Sequence, residues 1–356
     1  MRERVRAQRG VGATVPAVTG TALVLGASGQ VGTAVVAALA NDGWQVSAGA
    51  RRAAVWPDGV RGVQVDRDDD ESLAAAVGGG FDVLVDCVAY TEAHGRQLAG
   101  LADRLGTAVV LSSFSVYADA RGHSLDEATG PDDFPVLPLP VPEDQATVPA
   151  GPSTYSTSKV ALENVLLDSA LPVTVLRPGA IAGPGSVFPR EWWFVKRALD
   201  FRPVQVLSHD GQSRFHTTTT ANLAELIRLA AHRPGRRVLN AVDPQAVTVR
   251  EIASTINGLL DHHPEEILIP GRDTMGIGDT PWSVPYPYVM DMTSAERLLG
   301  YRPVTDYLAA LPALVEWIME TTRRVDWRDA FPVFLRACGE KAFDYASEDA
   351  WLAART

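Results

Sequence analysis

Short apolar runs alternate with amphipathic stretches along the first half of the chain. Thr21 to Leu25 is an apolar run that stops at Gly26, and an Ala- and Val-rich stretch from about Val31 to Ala40 follows it. The alternation then recurs, with predicted strands at 44–48, 63–65, 82–85, 108–111 and 173–176 and predicted helices at 71–77 and 154–167. Such alternation predicts βαβ units and a doubly wound parallel sheet. Parallel strands are covered on both faces, which explains why these runs are apolar throughout.

The pattern loosens in the second half of the chain. Residues 122–152 are rich in Pro, Asp and Glu, and we interpret this segment as a long surface loop that covers a substrate. A strand at 238–242 and helices at 249–259, 308–320 and 327–338 are predicted, with a Gly/Pro-rich loop at 272–288. The predicted fold class is therefore α/β, a Rossmann-type doubly wound parallel sheet with a smaller C-terminal α/β region.

Composition narrows the class of protein. The chain has 356 residues and a formal net charge of −11, which argues against nucleic acid or an anionic membrane as its main partner. Two cysteines without metal-ligand spacing predict a cytoplasmic protein with reduced thiols and no metal site. No run of eighteen apolar residues occurs, so no membrane span is predicted. Residues 1–20, with four arginines, are interpreted as a disordered leader.

Three glycines at three-residue spacing connect the first strand to the first helix. In such a loop, Gly26 permits a tight turn, Gly29 lets a pyrophosphate approach the backbone, and Gly32 lets the helix pack closely on the strand. The strand before and the helix after supply the context that this motif needs. The predicted dinucleotide contacts here are Gly26, Ser28, Gly29, Gln30, Val31 and Gly32.

The residues after the second strand bear on the choice of dinucleotide. An NAD-selective site usually has an acidic residue there, which binds the ribose hydroxyls. This chain has Arg51 and Arg52, nineteen and twenty residues after Gly32. A guanidinium matches a 2′-phosphate in charge and geometry, so NADP(H) is favoured over NAD(H). Further cofactor contacts are predicted where the third and fourth strands end, at Asp66, Arg67, Cys87, Val88 and Ala89.

A Tyr and a Lys four residues apart share one face of the helix predicted at 154–167. As an ammonium, Lys159 is expected to lower the pKa of Tyr155, which then gives or takes a proton near neutrality. Ser113, after the strand at 108–111, is expected to hydrogen-bond a substrate carbonyl as charge develops on its oxygen. Ser112 and Ser115 are alternatives to Ser113 for this role.

With these residues in place, the chain resembles the extended short-chain dehydrogenase/reductases, a family of NAD(P)-dependent sugar epimerases, dehydratases and reductases. The glycine motif, the segment Ser112 to Tyr117 and the Tyr155/Lys159 pair match the family in order and spacing. Leu176 to Gly185 is similar to the family's segment beside the nicotinamide, which implies cofactor contacts for Pro178 and Ile181. The resemblance also implies that Lys159 holds the nicotinamide ribose and that the protein is a homodimer.

The departures from the family pattern bear on the substrate. Dehydratases have an Asp-Glu pair where this chain has Phe114 and Ser115, so dehydration is not expected. Nucleotide-sugar enzymes often have Asn where this chain has Ala180, and two acidic residues of their later motif are missing here. Arg214 remains as a candidate phosphate contact. The predicted substrate contacts are Ser115, Trp192, Trp193 and Arg214, with core packing as the alternative for the two tryptophans.

Three functions remain open from the sequence. The first is an NADP(H)-dependent oxidoreductase that transfers a hydride between nicotinamide and a carbonyl or alcohol substrate, with Ser113, Tyr155 and Lys159 as catalytic residues. The alternative is a nucleotide-sugar 4-epimerase with tightly bound NAD, and the third is a non-catalytic nucleotide-binding regulator. The predicted division is a leader (1–20), a nucleotide-binding domain (21–182, with segments returning near 215–245), a substrate-binding region (183–326) and a helical extension (327–356).

Overall fold

A computed structural model describes residues 19–128 and 130–355. The predicted leader at 1–20 therefore lies almost wholly outside the described residues. The strands are β1 (Thr21–Leu25), β2 (Gln45–Ala50), β3 (Arg61–Gln64), β4 (Phe81–Asp86), β5 (Leu105–Leu111), β6 (Val173–Pro178), β7 (Ala180–Ala182), β8 (Val204–Leu207), β9 (Thr217–Thr219), β10 (Arg237–Ala241) and β11 (Glu265–Leu268).

The helices comprise twelve α-helices in the described residues and several single 3₁₀ turns. They are α1 (Gln30–Asn41), α2 (Asp70–Val77), α3 (Glu92–Ala99), α4 (Tyr155–Asp168), α5 (Trp192–Leu199), α6 (Thr220–Ala231), α7 (Val249–Leu259), α8 (Thr293–Leu299), α9 (Tyr307–Arg324), α10 (Trp327–Ala330), α11 (Pro332–Cys338) and α12 (Tyr345–Ala353). None of the helices in this part of the chain combines the length and apolar composition that a membrane span requires.

Seven parallel strands form the main sheet, in the order β10-β6-β5-β4-β1-β2-β3. Its central strands are buried on both faces, because α1 and α6 cover one side and α3 and α4 the other. This confirms the predicted doubly wound sheet. The order reverses direction between β1 and β4, and in such sheets ligands bind in the crevice at the carboxyl ends of the strands beside that point.

The second half of the chain builds a separate aromatic-rich core beside the carboxyl edge of the sheet. Two small parallel pairs, β11-β8 and β7-β9, lie here with α5, α7 and α9. The core joins Phe114 after β5 to residues of α5, α7, α9 and the C-terminal helices. The single helix predicted at 327–338 is wrong, because Phe331 ends α10 and Pro332, which has no N–H to donate, begins α11.

Candidate active site

The glycine loop between β1 and α1 has the geometry of a dinucleotide site. Gly26 has φ +72°, a conformation that favours glycine. A Cβ on Gly32 would lie 2.1 Å from the carbonyl oxygen of Gly26, so only glycine lets α1 pack this closely. Gly29 is the N-cap of α1 without a side-chain cap, which leaves first-turn amides available to an anion. The loop therefore fits the pyrophosphate of a dinucleotide.

The neighbouring strand ends hold the other predicted cofactor contacts. Arg51 and Arg52 are both exposed directly after β2, and the exposed Asp66 follows β3. Val88 is 45% exposed and contacts the glycine loop, since a Cβ on Gly26 would lie 2.6 Å from its Cγ1. Gln30 donates from Nε2 to the carbonyl of Gly183 at 2.9 Å, which ties the start of α1 to the segment after β7. Ser28 is exposed beside it, while Val31 and Pro178 are buried and Ile181 and Cys87 are partly buried.

Arg67 does not present its guanidinium at the strand ends. It is buried, and its Nε lies 2.6 Å from the carboxylate of Asp86. Its other donors reach the carbonyl of His94 at 3.1 Å and the side chain of Gln97. The guanidinium is fully engaged within the protein, so its predicted role as a cofactor contact is not supported by its geometry.

Helix α4 positions Tyr155 and Lys159 on one face. Thr154 caps the helix by accepting the amide of Thr157, and Asp126 accepts the amide of Ser156 at 3.1 Å. Tyr155 begins the helix and is 39% exposed, whereas Lys159 is buried. The ammonium of Lys159 lies 5.6 Å from the centre of the Tyr155 ring. The helix thus presents the phenol at the surface and keeps the ammonium beneath it.

Lys159 is held by two backbone carbonyls from the ends of neighbouring strands. Its Nζ donates to Ala89 at 2.6 Å and to Leu111 at 2.9 Å. Burial lowers the pKa of Lys159 to about 8, because desolvation disfavours the ammonium, although Asp86 and Glu163 oppose the shift. An ammonium has three donors, so one remains for a ligand.

Ser113 belongs to a chain of three hydroxyl groups. Its Oγ lies 2.9 Å from that of Ser115, and Ser156 donates to the Ser115 Oγ at 3.0 Å and to the Ser115 carbonyl at 2.9 Å. The Ser113 hydroxyl is also close enough to Tyr155 to lower the pKa of its phenol. Ser112 is buried and its hydroxyl has no partner among the described residues. The geometry therefore favours Ser113 over Ser112 as the partner of Tyr155, with Ser115 behind it.

The pKa of Tyr155 differs from the expectation based on sequence. The surrounding protein raises the pKa of Tyr155 by desolvation, the nearby Ser113 hydroxyl lowers it, and the nearby Tyr90 and Asp126 raise it further. Lys159 does not contribute, since its ammonium is turned toward the two carbonyls. Sequence reasoning also missed Tyr90, whose ring lies 5.5 Å from that of Tyr155. Its only sequence signal is its place just after the fourth strand.

The predicted substrate contacts are not brought together. Trp192 and Trp193 are 4% and 2% exposed and belong to the aromatic core, which favours the core-packing alternative, while Trp193 also borders the cavity beside loop 272–281. Arg214 is exposed and donates to the carbonyl of Ala246 at 2.6 Å in an open groove with Thr248 and Arg250. A cavity of about 900 Å³ lies between loop 272–281 and the C-terminal helices, away from Ser113 and Tyr155.

Comparison with known proteins places this geometry in context. A model of the NAD dependent epimerase/dehydratase family matches residues 22–241, which is more than half of the chain. No curated protein matches the chain.

Solved structures share the fold over most of their length. An epimerase of Methanothermobacter thermautotrophicus is 18% identical with a TM-score of 0.66, and covers 86% of this chain and 94% of its own. MoeE5, solved with UDP-glucuronic acid and NAD, is 23% identical with a TM-score of 0.62 and 85% and 99% coverage. A UDP-N-acetylglucosamine 4-epimerase of Bacillus cereus is 18% identical, with a TM-score of 0.63 and 84% and 99% coverage. At these identities the likeness establishes the fold.

Proposed function

The chain belongs to the NAD dependent epimerase/dehydratase family, and from that membership we propose that it epimerises a nucleotide-linked sugar by transient oxidation at one ring carbon. The observation that carries the proposal is the geometry of α4, which places the Tyr155 ring 5.6 Å from the buried Lys159 ammonium, itself held by the carbonyls of Ala89 and Leu111 at the ends of two neighbouring strands. The same site can take a proton from a sugar hydroxyl and later return it. An epimerase needs that reversibility, because its cofactor ends each turnover in its starting state.

Each residue of the site has a distinct task in this cycle. The glycine loop and the first turn of α1 hold the pyrophosphate, and the free donor of Lys159 holds the nicotinamide ribose. When bound, the nicotinamide supplies the redox step by taking a hydride from the substrate carbon and returning it. Tyr155 accepts the hydroxyl proton during oxidation and donates it again during reduction. Ser113 hydrogen-bonds the same oxygen and keeps it within reach of Tyr155.

The named relatives support a nucleotide-sugar substrate. Among the structural neighbours are three proteins described as UDP-sugar 4-epimerases and one solved with UDP-glucose or UDP-glucuronic acid together with NAD. The absence of the Asp-Glu pair after Ser113 argues against dehydration, because that reaction needs an additional acid and base. Epimerisation does not need that pair, because Ser113, Tyr155 and Lys159 are sufficient for oxidation and reduction at one carbon.

A second candidate is the NADP(H)-dependent carbonyl reductase or alcohol dehydrogenase. The observation that favours it is the exposed Arg51 and Arg52 directly after β2, where an acidic residue would select NAD(H). Ala180, where nucleotide-sugar enzymes often have Asn, points in the same direction. This candidate uses Ser113, Tyr155 and Lys159 in the same roles but exchanges its cofactor at each turnover.

Cofactor retention separates the two candidates. The purified protein is denatured, the released nucleotide is identified, and NADH and NADPH are titrated into the emptied protein by tryptophan quenching. Retained NAD(H), together with interconversion of UDP-glucose and UDP-galactose, supports the epimerase. Exchangeable NADPH with much weaker NADH binding supports the reductase and overturns the epimerase. Binding of neither nucleotide overturns both.

A variant identifies the source of any NADPH preference. We expect the double variant Arg51→Ala/Arg52→Ala to bind NADPH about 10- to 100-fold more weakly, because it loses a charge-assisted contact to the 2′-phosphate. Its affinity for NADH should change little. Arg61→Ala is the matched control, because Arg61 is exposed but begins β3 at the opposite edge of the sheet. Equal losses for both nucleotides would contradict the assignment.

A further inference from the structure

Three serine hydroxyls form a buried chain that ends at Ser113. The Ser156 hydroxyl donates to the Oγ of Ser115 at 3.0 Å and to the carbonyl oxygen of Ser115 at 2.9 Å. The Oγ atoms of Ser115 and Ser113 lie 2.9 Å apart. Ser156, Ser115 and Ser113 are 0%, 8% and 9% exposed, so each hydroxyl takes its partners from the protein and not from bulk water. The chain therefore leads from the interior of the fold to the candidate active site.

The Ser113 oxygen has both of its acceptor positions filled from within the protein. A serine hydroxyl donates one hydrogen bond and accepts two. The backbone N–H of Ser115 donates to the Ser113 Oγ at 3.2 Å. The Ser115 hydroxyl is the second donor, because its oxygen already accepts the proton of Ser156 and its own proton is free for Ser113. The proton of Ser113 is therefore left for an acceptor outside the chain of serines.

The effect of Ser113 on Tyr155 has the sign that a donor produces. A donor near a phenolate stabilises the charged form and lowers the pKa of the phenol, whereas an acceptor near the phenol raises it. The Ser113 hydroxyl lowers the pKa of Tyr155. An oxygen that gains negative charge at this place, on the phenol or on a substrate, therefore meets a donor that is already oriented.

Ser156 also joins the two segments that carry the catalytic groups. It follows Tyr155 in the first turn of α4, and its backbone N–H donates to the carboxylate of Asp126 at 3.1 Å. Its side chain meanwhile holds Ser115, which lies in the 3₁₀ turn that Ser113 caps. One buried side chain therefore ties the helix of the phenol to the turn of the serine.

We propose that Ser156, acting through Ser115, is a positioning residue that holds Ser113 as a hydrogen-bond donor to the reacting oxygen. In a chain of hydroxyls each accepted hydrogen bond polarises the next O–H, so the last donor is strengthened as well as oriented. Ser115 then positions Ser113 and is not the substrate contact that its place in the sequence predicts. The inference rests on the proposed function for the reaction itself, although the reductase alternative uses Ser113 in the same way.

A double-mutant cycle in the full-length protein tests whether Ser156 acts through Ser113. We expect Ser156→Ala to lower kcat about 3- to 10-fold, the value of one net hydrogen bond, with KM and cofactor affinity unchanged. In a Ser113→Ala background the same substitution should lower kcat no further, because the group that it orients is gone. Equal losses in the two backgrounds would overturn the proposal, since Ser156 would then support the fold and not the donor. An unchanged kcat in Ser156→Ala would overturn it as well.

Two further variants separate positioning from other roles. Ser158→Ala is the matched control, because Ser158 is also a buried serine of α4 but stands outside the chain of hydroxyls, and we expect it to leave kcat unchanged. Ser115→Ala should lower kcat only where the Ser113 hydroxyl is present, and Ser115→Thr, which keeps a hydroxyl, should retain more activity. A loss in Ser115→Ala that appears in KM and persists in the Ser113→Ala background would assign Ser115 to the substrate and overturn the proposal.

The proposed function fails separately from this inference. The cycle is measured with whichever of the two candidate reactions the enzyme catalyses. Reduction of a carbonyl substrate without interconversion of UDP-sugars would refute the epimerase and leave the cycle to decide on Ser156. Interconversion of UDP-sugars with equal losses in the two backgrounds would refute the positioning role alone.

The ionisation of Tyr155 gives a readout that needs no turnover. It is measured from the ultraviolet absorbance of the phenolate at alkaline pH, with Tyr155→Phe subtracted. Ser156→Ala should raise the pKa of Tyr155, and so should Ser113→Ala, with no further rise in the double variant. The charged and titratable groups that face the phenol are the same in all of these variants; they are Tyr90, Asp126 and Lys159. An unchanged pKa in Ser156→Ala would overturn the proposal.

Discussion

At the scale of single residues, two adjacent serines after β5 have opposite environments. The hydroxyl of Ser113 lies 2.9 Å from that of Ser115, whereas the hydroxyl of Ser112 is buried and has no partner in the part of the chain that the structure describes. We expect Ser113→Ala to lower kcat about 100-fold, the typical loss when one donor to a developing oxyanion is removed. Steady-state kinetics of UDP-sugar interconversion, with cofactor binding as a check on folding, measures this.

Ser112→Ala is the control for that prediction. Removing an unpaired buried hydroxyl leaves no group unsatisfied. We therefore expect kcat to be unchanged and the free energy of unfolding to stay within about 0.5 kcal/mol of the wild-type value. Equal losses in the two variants would mean that the segment, and not the Ser113 hydroxyl, is what activity requires.

His216 makes stability depend on pH. It is buried, with Nε2 donating to the carbonyl of Asp243 at 2.8 Å and Nδ1 accepting the amide of Met290 at 3.1 Å. Desolvation lowers its pKa from 6.5 to about 4. The unfolded chain therefore binds a proton first as the pH falls, and stability is fully present above pH 6.5 and decreases from there toward pH 4.

Between pH 7 and pH 5 the expected loss is roughly 2 kcal/mol, because about 1.5 pH units of that range lie below 6.5 and each contributes about 1.4 kcal/mol. Urea unfolding at pH 7 and pH 5 measures it. His216→Gln keeps one donor and one acceptor without a titrating ring, so its stability should change less between the two values. If the unfolding free energies of the two proteins changed equally with pH, His216 would be excluded as the source of the pH dependence.

At the scale of elements, the glycine motif makes a prediction about the contact between β1 and α1. A Cβ on Gly32 overlaps the carbonyl of Gly26, so Gly32→Ala must displace α1 from the loop. We expect a loss of 1–3 kcal/mol in unfolding free energy, typical of overpacking, and at least tenfold weaker nicotinamide binding. Urea unfolding and cofactor titration check both.

Gly258→Ala is the matched control, since Gly258 lies in α7 with open space around its Cα. There the same change should stabilise by about 0.5–1 kcal/mol through helix propensity. A Gly32→Ala variant that behaved like Gly258→Ala would show that the close packing at the loop is unimportant.

The elements that sequence predicted are those whose pattern is local. β1 and α7 match their predicted bounds, because an apolar run ending at Gly26 and a Thr248/Glu251 capping box are readable from neighbouring residues. α5, α6 and the small strands were missed. The Thr217–Thr219 strand, for example, is fixed by hydrogen bonds to Asp243, 24 or more residues away, and such pairing leaves no local signal.

The residues of the candidate site also differ in how far the sequence predicts them. Ser113, Tyr155 and Lys159 were predicted because their positions follow from the end of a strand and from the spacing along a helix. The engagement of Arg67 by Asp86 and the burial of Trp192 depend on which segments meet across the fold. Charge and side-chain type were visible in the sequence, but the presence or absence of a partner was not.

At the scale of the whole molecule, one carboxylate joins the C-terminal helices to the second core. Glu348 of α12 is 2% exposed and lies 2.8 Å from Arg197 of α5 and 2.9 Å from Arg202. Arg197 is itself buried against the ring of Trp193. Removing the carboxylate leaves that guanidinium without its counter-ion, and breaking a buried pair in this way costs about 3–5 kcal/mol.

We therefore expect Glu348→Gln to lower the unfolding free energy by that amount, measured by urea unfolding, while nicotinamide affinity is unchanged because α12 is remote from the glycine loop. Asp349→Asn is the control, since its neighbouring carboxylate pairs with the same Arg202 but is 60% exposed. Exposed pairs contribute at most about 1 kcal/mol. If the two variants lost equal stability, the contact with the Trp193 ring would be enough to stabilise the buried charge of Arg197 without the Glu348 carboxylate. If Glu348→Gln instead weakened nicotinamide binding, the C-terminal helices would be coupled to the sheet and would not simply cover the second core.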